Sequence, residues 1–392
     1  MIRLFSIQTW FVPLSVALAA CVEPFDRQEL SLQGELLVVD GTLTDEPEPQ
    51  RVRLSRASLL RGLPARVPVE KATVAFWVNG EETVPLRETT PGTYQAPDGF
   101  RGQVGGSYQL RFTLADGRRY ESAEEVLPAV PPIRQVYDRF DGRGIANAEK
   151  TAYTPANLVY VDTQDPADVR NYYRWDWTLW ELQDWCRTCA QSRYVVFNRF
   201  TNQLVEDCVT DRSLLPSSRY DYVCRTLCWD ILRSTAINLF ADQYTNGQPI
   251  LGRLVGAIPY YQTRPALLEI RQYSLTVGAY RFFQLLENQT QRTGTLADTP
   301  PAPLVGNIHN LTNASENVVG YFTASGVATL RYWLDRQNAT GPPVGLYSAL
   351  NGGEVPIPEP AGILPDPFGI RPPSALCVPS DTRTPAKPEG WR

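Results

Sequence analysis

Ala72-Thr-Val-Ala-Phe-Trp-Val78, followed at once by Asn79-Gly80 and then by Thr83 to Glu88, reads as a β-hairpin. β-branched and aromatic residues fill the first arm, and Asn-Gly supplies the positive-φ positions that a tight turn between twisted strands needs. Outward from it, Gly34-Glu-Leu-Leu-Val-Val-Asp-Gly41 and Arg51-Val-Arg-Leu-Ser55 come before. Gly92-Thr-Tyr-Gln95, Ser107-Tyr-Gln-Leu-Arg-Phe-Thr-Leu114, an Asp116-Gly117 turn and Arg118 to Ala123 come after. About seven short strands at this spacing predict an immunoglobulin-like β-sandwich over residues 34–128. Within it Tyr108, Leu110, Phe112 and Leu114 alternate onto one face, which marks them as core.

Pro128-Ala-Val-Pro-Pro-Ile133 reads as a stiff connector, so a second β-rich domain is expected over residues 134–340. Its predicted strands are Ala156 to Asp162, Tyr172 to Leu182, Ala266 to Tyr273, Val318 to Thr323 and Val327 to Leu334, with bends at Gly320 and Gly326. One helix is expected over 275–292, with Ser274 as N-cap and an apolar stripe of Leu275, Ala279, Phe282, Phe283 and Leu286. Residues 341–392 hold twelve prolines and no periodicity. An irregular or polyproline-like tail over the surface is predicted there, held down by Cys377. The fold class expected is mainly β, with one long helix and a disulfide-bearing insertion in the second domain.

The start of the chain carries a different signal. Leu18-Ala-Ala-Cys21 closes a short apolar leader in which Arg3 is the only charge. This layout predicts a signal peptide over residues 1–20, lipidation of Cys21 and a tether over 21–33. Two or three acyl chains, at about 0.8 kcal/mol per buried methylene, would hold such a protein at a membrane surface. Lys and Arg total 37 against 42 Asp and Glu, with no basic block, which argues against nucleic-acid binding.

Beyond Cys21 there are six cysteines: Cys186, Cys189, Cys208, Cys224, Cys228 and Cys377. In an exported protein an even number predicts three disulfides, although six cysteines permit about 15 pairings. Two zinc-ligand pairs, Cys186-x-x-Cys189 and Cys224-x-x-x-Cys228, are the alternative, and a redox-active Cys186/Cys189 pair is a third. No metal and no cofactor is expected.

Catalytic signals are sparse. His309 is the only histidine, and in Gly306-Asn-Ile-His-Asn310 it reads as a solvent-facing loop residue rather than a base. No nucleophile elbow, phosphate-binding loop or zinc-protease helix is present. Asp162, Asp165 and Asp168 are spaced as calcium ligands could be, yet lack the glycine turn and terminal glutamate of a known loop, so a solvated loop is expected. Glu181 and Asp184 could serve glycoside hydrolysis, but an acid-rich chain contains many such pairs. The unusual concentration is aromatic: Trp175, Trp177, Trp180, Trp185 and Trp229 surround the clustered cysteines with Tyr172, Tyr173 and Tyr222. Trp175, Trp177 and Leu179 share one strand face and Trp180 the other. The cluster is either packing against disulfides or a recognition surface for sugar rings or a protein partner.

Several motifs occur in order: Leu37-Val-Val-Asp-Gly41, Cys228-Trp229, Arg271-Gln-Tyr-Ser-Leu-Thr-Val-Gly-Ala-Tyr280, Gly294-Thr-Leu, Pro301-Ala-Pro-Leu-Val-Gly-Asn-Ile308, Val319-Gly-Tyr-Phe-Thr-Ala-Ser325 and Lys387-Pro-x-x-Trp391. In this arrangement the chain resembles the lipoproteins of Bacteroidota that carry the domain of unknown function 4249. The resemblance implies an outer-membrane lipoprotein encoded beside a TonB-dependent receptor, with no established reaction and no catalytic residues. Glu23 and Asp26, just past Cys21, resemble the acidic surface-export signals of that group. The expectation is therefore a non-enzymatic accessory subunit, lipid-anchored at the outer membrane and facing the cell surface, that docks on a TonB-dependent β-barrel receptor and helps capture or admit cargo. A free-standing glycan-binding lipoprotein is the alternative, and a hydrolase the third reading.

Overall fold

The computed structural model describes residues 36–60, 63–167, 169–198, 201–291, 304–360, 369–370 and 374–392. The leader, Cys21 and its tether, Asp168, residue 292 and Gly294-Thr-Leu lie outside the described residues. The protein is mainly β, with one long helix, Val277–Gln291, and one short one, Leu346–Leu350. No described helix is long and apolar enough to cross a membrane.

Residues 36–126 form the expected sandwich. The predicted hairpin pairs Thr73–Val78 with Glu82–Thr90, and Asn79 (φ 50°) and Gly80 (φ 73°) make its turn. Glu82–Thr90 also pairs with Thr93–Gln95, so it belongs to both sheets and carries the chain from one to the other. One sheet adds Ser107–Thr113 and Arg119–Ser122; the other adds Leu36–Thr44 and Arg51–Leu60. Tyr108, Leu110, Phe112 and Leu114 all point into the core, as their alternation predicts.

A return from late in the chain completes this sandwich. Ile308–Asn310 pairs with Arg119–Ser122, and Val318–Val319 and Phe322–Ser325 run parallel to Leu36–Thr44. The run Val318 to Thr323 is strand apart from Gly320 and Tyr321, which divide it into Val318–Val319 and Phe322–Ser325, and it belongs to the first sandwich, where Phe322 is fully buried. Alternation marks a segment as strand without naming its partner, here some 280 residues away in sequence. Two glycines permit the crossing. A Cβ on Gly320 (φ 122°) would sit 1.9 Å from the Val39 carbonyl oxygen, and one on Gly306 would sit 1.6 Å from that of Gly320.

The second body packs two sheets. Ile133–Ala146, Tyr153–Gln164 and Pro249–Pro259 make a three-stranded antiparallel sheet. Tyr172–Leu182 lies at the centre of the other, with Ala266–Leu275 and Val327–Leu334 on one side and Trp229–Arg233, Asn238–Ala241 and Arg383–Thr384 on the other. Val159, Tyr173, Trp175, Leu179, Leu268 and Ile270 fill the space between them. The connector is shorter than expected, because Ile133 already opens the strand Ile133–Ala146.

The helix also starts later than predicted. Ser274 is buried in Ala266–Leu275, where it pairs with Tyr173, and its N–H bonds the Gly326 carbonyl at 3.0 Å. Thr276 caps the helix instead: its Oγ1 accepts from the Ala279 N–H (3.2 Å) and donates to Glu125 Oε2 (2.6 Å). Sheet pairing outweighs the capping preference of Ser274, and the next hydroxyl takes the role.

The six cysteines beyond Cys21 are all disulfide-bonded, as their even number predicts, and none of the six is left as a free thiolate for zinc. Cys186 bonds Cys224, Cys189 bonds Cys208, and Cys228 bonds Cys377. Cys377 does staple the tail. Neither cysteine of the Cys186-x-x-Cys189 pair bonds the other, because Trp185–Ala190 is a strand and sends the two toward different neighbours, Arg219–Cys224 and Gln203–Thr210. These strands, with Ser192–Asn198 and the short tail strands Gly369–Ile370 and Ser374–Ala375, build a small cysteine module at the end of Tyr172–Leu182. Apart from such pieces and Leu346–Leu350, the described part of the tail is irregular, as the prolines predict.

Candidate functional site

A cleft opens where the central sheet meets the cysteine module. Tyr172–Leu182 ends, Gln183 and Asp184 turn the chain, and Trp185–Ala190 begins. The buried Gln183 fixes this turn: its Oε1 accepts from the N–H groups of Asp184 (2.9 Å) and Trp185 (3.0 Å), and its Nε2 donates to Asp230 Oδ2 (2.6 Å). Facing it is the loop Tyr261-Gln-Thr-Arg264. Arg264 donates to both oxygens of Asp184 (3.0 and 2.7 Å) and through Nε to Gln262 Oε1 (2.9 Å). Gln262 in turn donates to Glu181 Oε2 at 2.7 Å.

Glu181 is fully buried against Arg336, also without exposed side-chain surface, and Arg336 Nη1 reaches the Arg264 carbonyl at 2.7 Å. Burial pushes the Glu181 carboxyl above its ordinary range, and the Arg336 charge opposes that only in part. Breaking a buried pair by deleting one partner typically costs about 3–5 kcal/mol, and this pair holds the loop through Gln262 and the Arg264 carbonyl.

The Asp184–Arg264 pair divides two hollows. One, of ≈ 380 Å³, has Trp185, Tyr261 and Tyr347 among its walls, with Pro343 and Pro356 of the tail. The other, of ≈ 580 Å³, lies against Val223, the Cys224 segment and Leu227. Trp185 meets Tyr347 edge-on at 6.0 Å. Tyr347 is held by Asp221, whose carboxylate also accepts from Thr188 Oγ1 (2.6 Å) and the Ile357 N–H (2.8 Å) and lies 3.3 Å from Arg219 Nη2. Burial alone would raise the Asp221 pKa, but these donors and the Arg219 charge outweigh it and hold the carboxyl below its usual range. One buried carboxylate thereby fastens two parts of the tail to the module.

The five tryptophans do not gather on one face. Trp175 is buried in the second core and donates to Gln272 Oε1 at 3.0 Å. Trp229 is buried and meets Trp391 at 5.6 Å, which also meets Trp333 at 5.2 Å. Trp177 packs over Gly256, where a Cβ would come within 2.7 Å of the indole nitrogen. Trp180 is half-buried on the opposite strand face. Only Trp185 among them lines the cleft.

Of the other candidates, His309 sits on a strand rather than in a turn, and its side chain is exposed opposite Glu121 in the first sandwich, not among the residues that line the cleft. Glu181 and Asp184 each carry a guanidinium partner, Arg336 and Arg264 respectively. Asp162 and Asp165 diverge: Asp162 accepts the Gly252 N–H, whereas Asp165 is buried. Gln183, Tyr261, Gln262, Arg264 and Tyr347 went unnoticed in the sequence. None sits in a motif, and they meet only because three separate segments converge.

Around the module, apolar side chains face solvent. Val223 and Leu227 (61% exposed) flank the Cys186–Cys224 bridge, and Leu376 and Val378 flank Cys377. The register Val223↔Ser374 and Cys224↔Ala375 brings the two segments side by side.

No curated protein and no solved structure matches the chain. Residues 22–331 match the family model described as a domain of unknown function, DUF4249, so the match reaches from before the first sandwich into the strand Val327–Leu334 and stops short of the tail wall of the cleft. The chain belongs to the DUF4249 family.

Proposed function

We propose that this chain is a non-enzymatic binding subunit, lipid-anchored through Cys21 at the outer membrane, that docks on a TonB-dependent β-barrel receptor through its cysteine module and helps capture or admit cargo. The observation that carries the reading is the exposure of Val223, Leu227, Leu376 and Val378 beside the disulfide-bonded Cys224, Cys228 and Cys377. Exposed apolar side chains grouped on a rigid support mark interaction surfaces. The Leu18-Ala-Ala-Cys21 signal supplies the location. Gentle detergent extraction and affinity purification test it: a large β-barrel should come with the wild-type chain, and Leu227→Glu should lose it while folding normally. Repeated recovery of the wild-type chain alone overturns the docking reading, and failure to incorporate labelled palmitate at Cys21 overturns the anchor.

A second reading concerns the cleft. Trp185, Tyr261 and Tyr347 beside Gln183, Gln262 and the Asp184–Arg264 pair combine ring faces with planar polar groups, the chemistry that holds sugar rings. Retardation on polysaccharide gels that Trp185→Ala abolishes would favour a surface glycan-binding protein.

A further inference from the structure

Asp165 and Asp242 stand at the end of the second body where the strands Tyr153–Gln164 and Asn238–Ala241 both terminate. Both are buried, at 2% and 1% exposure. The loop that follows Asp242 folds back onto Asp165, whose N–H points at the Gln248 carbonyl 3.4 Å away. Asp165 is already well served: Oδ1 accepts from the Tyr173 hydroxyl at 2.6 Å and Oδ2 from the Gly247 N–H at 2.9 Å. Asp242 Oδ2 accepts from the Asn171 N–H at 2.8 Å. Its other oxygen, Oδ1, is buried without a hydrogen-bond partner, and so is the hydroxyl of Thr245. The Thr245 N–H bonds the Asp242 carbonyl at 2.6 Å, so one tight turn holds both unmatched oxygens.

Two carboxylates side by side repel, and the charge that acts on the Asp242 carboxyl is the like charge of Asp165. A single shared proton would relieve the repulsion yet leave Thr245 unmatched. A cation with several oxygen ligands answers both needs, and a set of two carboxylates and a hydroxyl is hard-donor chemistry. We infer that Asp165, Asp242 and Thr245 form a binding site for a hard divalent cation of the calcium class, which ties the loop 242–248 to the end of Tyr153–Gln164. The pairing was outside the reach of the sequence reading, which grouped Asp165 with its neighbours Asp162 and Asp168 instead.

The purified full chain, treated with chelator and then titrated with calcium chloride, tests the site by thermal unfolding and by terbium luminescence excited through Tyr173 and Trp175. Affinity in the range of about 10⁻⁴–10⁻³ M is expected from so few charged ligands. Tenfold excess over that should raise Tm by roughly 2–4 °C. Asp242→Asn should remove both the calcium shift and the terbium signal, and Thr245→Val should weaken calcium severalfold. Absence of a calcium shift up to 10 mM (roughly tenfold above the weakest expected affinity), together with no calcium-displaceable terbium emission, overturns the site. So does an Asp242→Asn chain that keeps the wild-type response, whereas one that unfolds leaves the decision to the wild-type titration and Thr245→Val.

Discussion

The first sandwich closes around aliphatic and aromatic side chains drawn from Leu37 through Ala324 and contains no disulfide; the cysteine module buries little more than four cysteines, two tyrosines and an alanine. Both end as fixed β-structure. The sandwich is held by area removed from water, at about 25 cal/mol per Å² of apolar surface. The module is too small for that and relies on three covalent links and on buried carboxylates such as Asp221 and Asp211. The region with the weaker core carries the cleft and the exposed apolar side chains, so the recognition proposed for them would rest on the part whose shape depends least on hydrophobic packing.

Reduction should break this contrast most severely. Loss of each native disulfide typically costs about 2–5 kcal/mol, and Cys228–Cys377 closes a separation of 149 residues. With a thiol reductant we expect protease cuts within residues 185–228 and in the tail, while the first sandwich stays resistant; simultaneous collapse of both regions would show that they are not energetically separate. Next in size is Phe322→Ala, which empties the first core where Phe322 packs on Phe76 at 5.7 Å. A loss of about 3–5 kcal/mol is expected in denaturant unfolding, with the module's disulfides intact.

Asp221→Asn is smaller, about 1.5–3 kcal/mol, because it weakens charge-assisted hydrogen bonds without opening a cavity. The same group gives a pH signature. Its folded pKa is lowered, so its contribution is fully present above the unfolded value of about 3.9 and disappears as pH falls through the folded value. Acid below about pH 4 should therefore loosen the tail around Tyr347 and Ile357, seen as faster amide exchange there, and Asp221→Asn should remove that dependence. The smallest stability effect belongs to Trp185→Ala, under about 1 kcal/mol since the side chain is only half-buried. A large loss there would identify Trp185 as packing rather than a recognition surface.

Much of the fold was legible because alternation is local. Tyr172–Leu182 and Val327–Leu334 show in the sequence with the bounds the structure gives them, and Asn79-Gly80 announces its own hairpin. Partnership is not local, so the return of Phe322 to the first core could not be read. The helix start slipped from Ser274 to Thr276 because either hydroxyl can cap, and the neighbouring strand decided between them. The module's strands were hidden because cysteines and charges interrupt the apolar pattern. The cleft was least visible of all: Trp185 was picked out for its residue type, but Arg264 and Tyr347 gain meaning only from loops and tail that meet in three dimensions.

The crossing at Gly306 and Gly320 also fixes an order of events. Until Val318–Ser325 arrives, Leu36–Thr44 has hydrogen-bonding groups open along one side, an edge that invites pairing with another chain. A fragment cut before residue 300 should therefore aggregate even though its own strands are sound, and a newborn chain must be kept from its neighbours until nearly all of it has emerged.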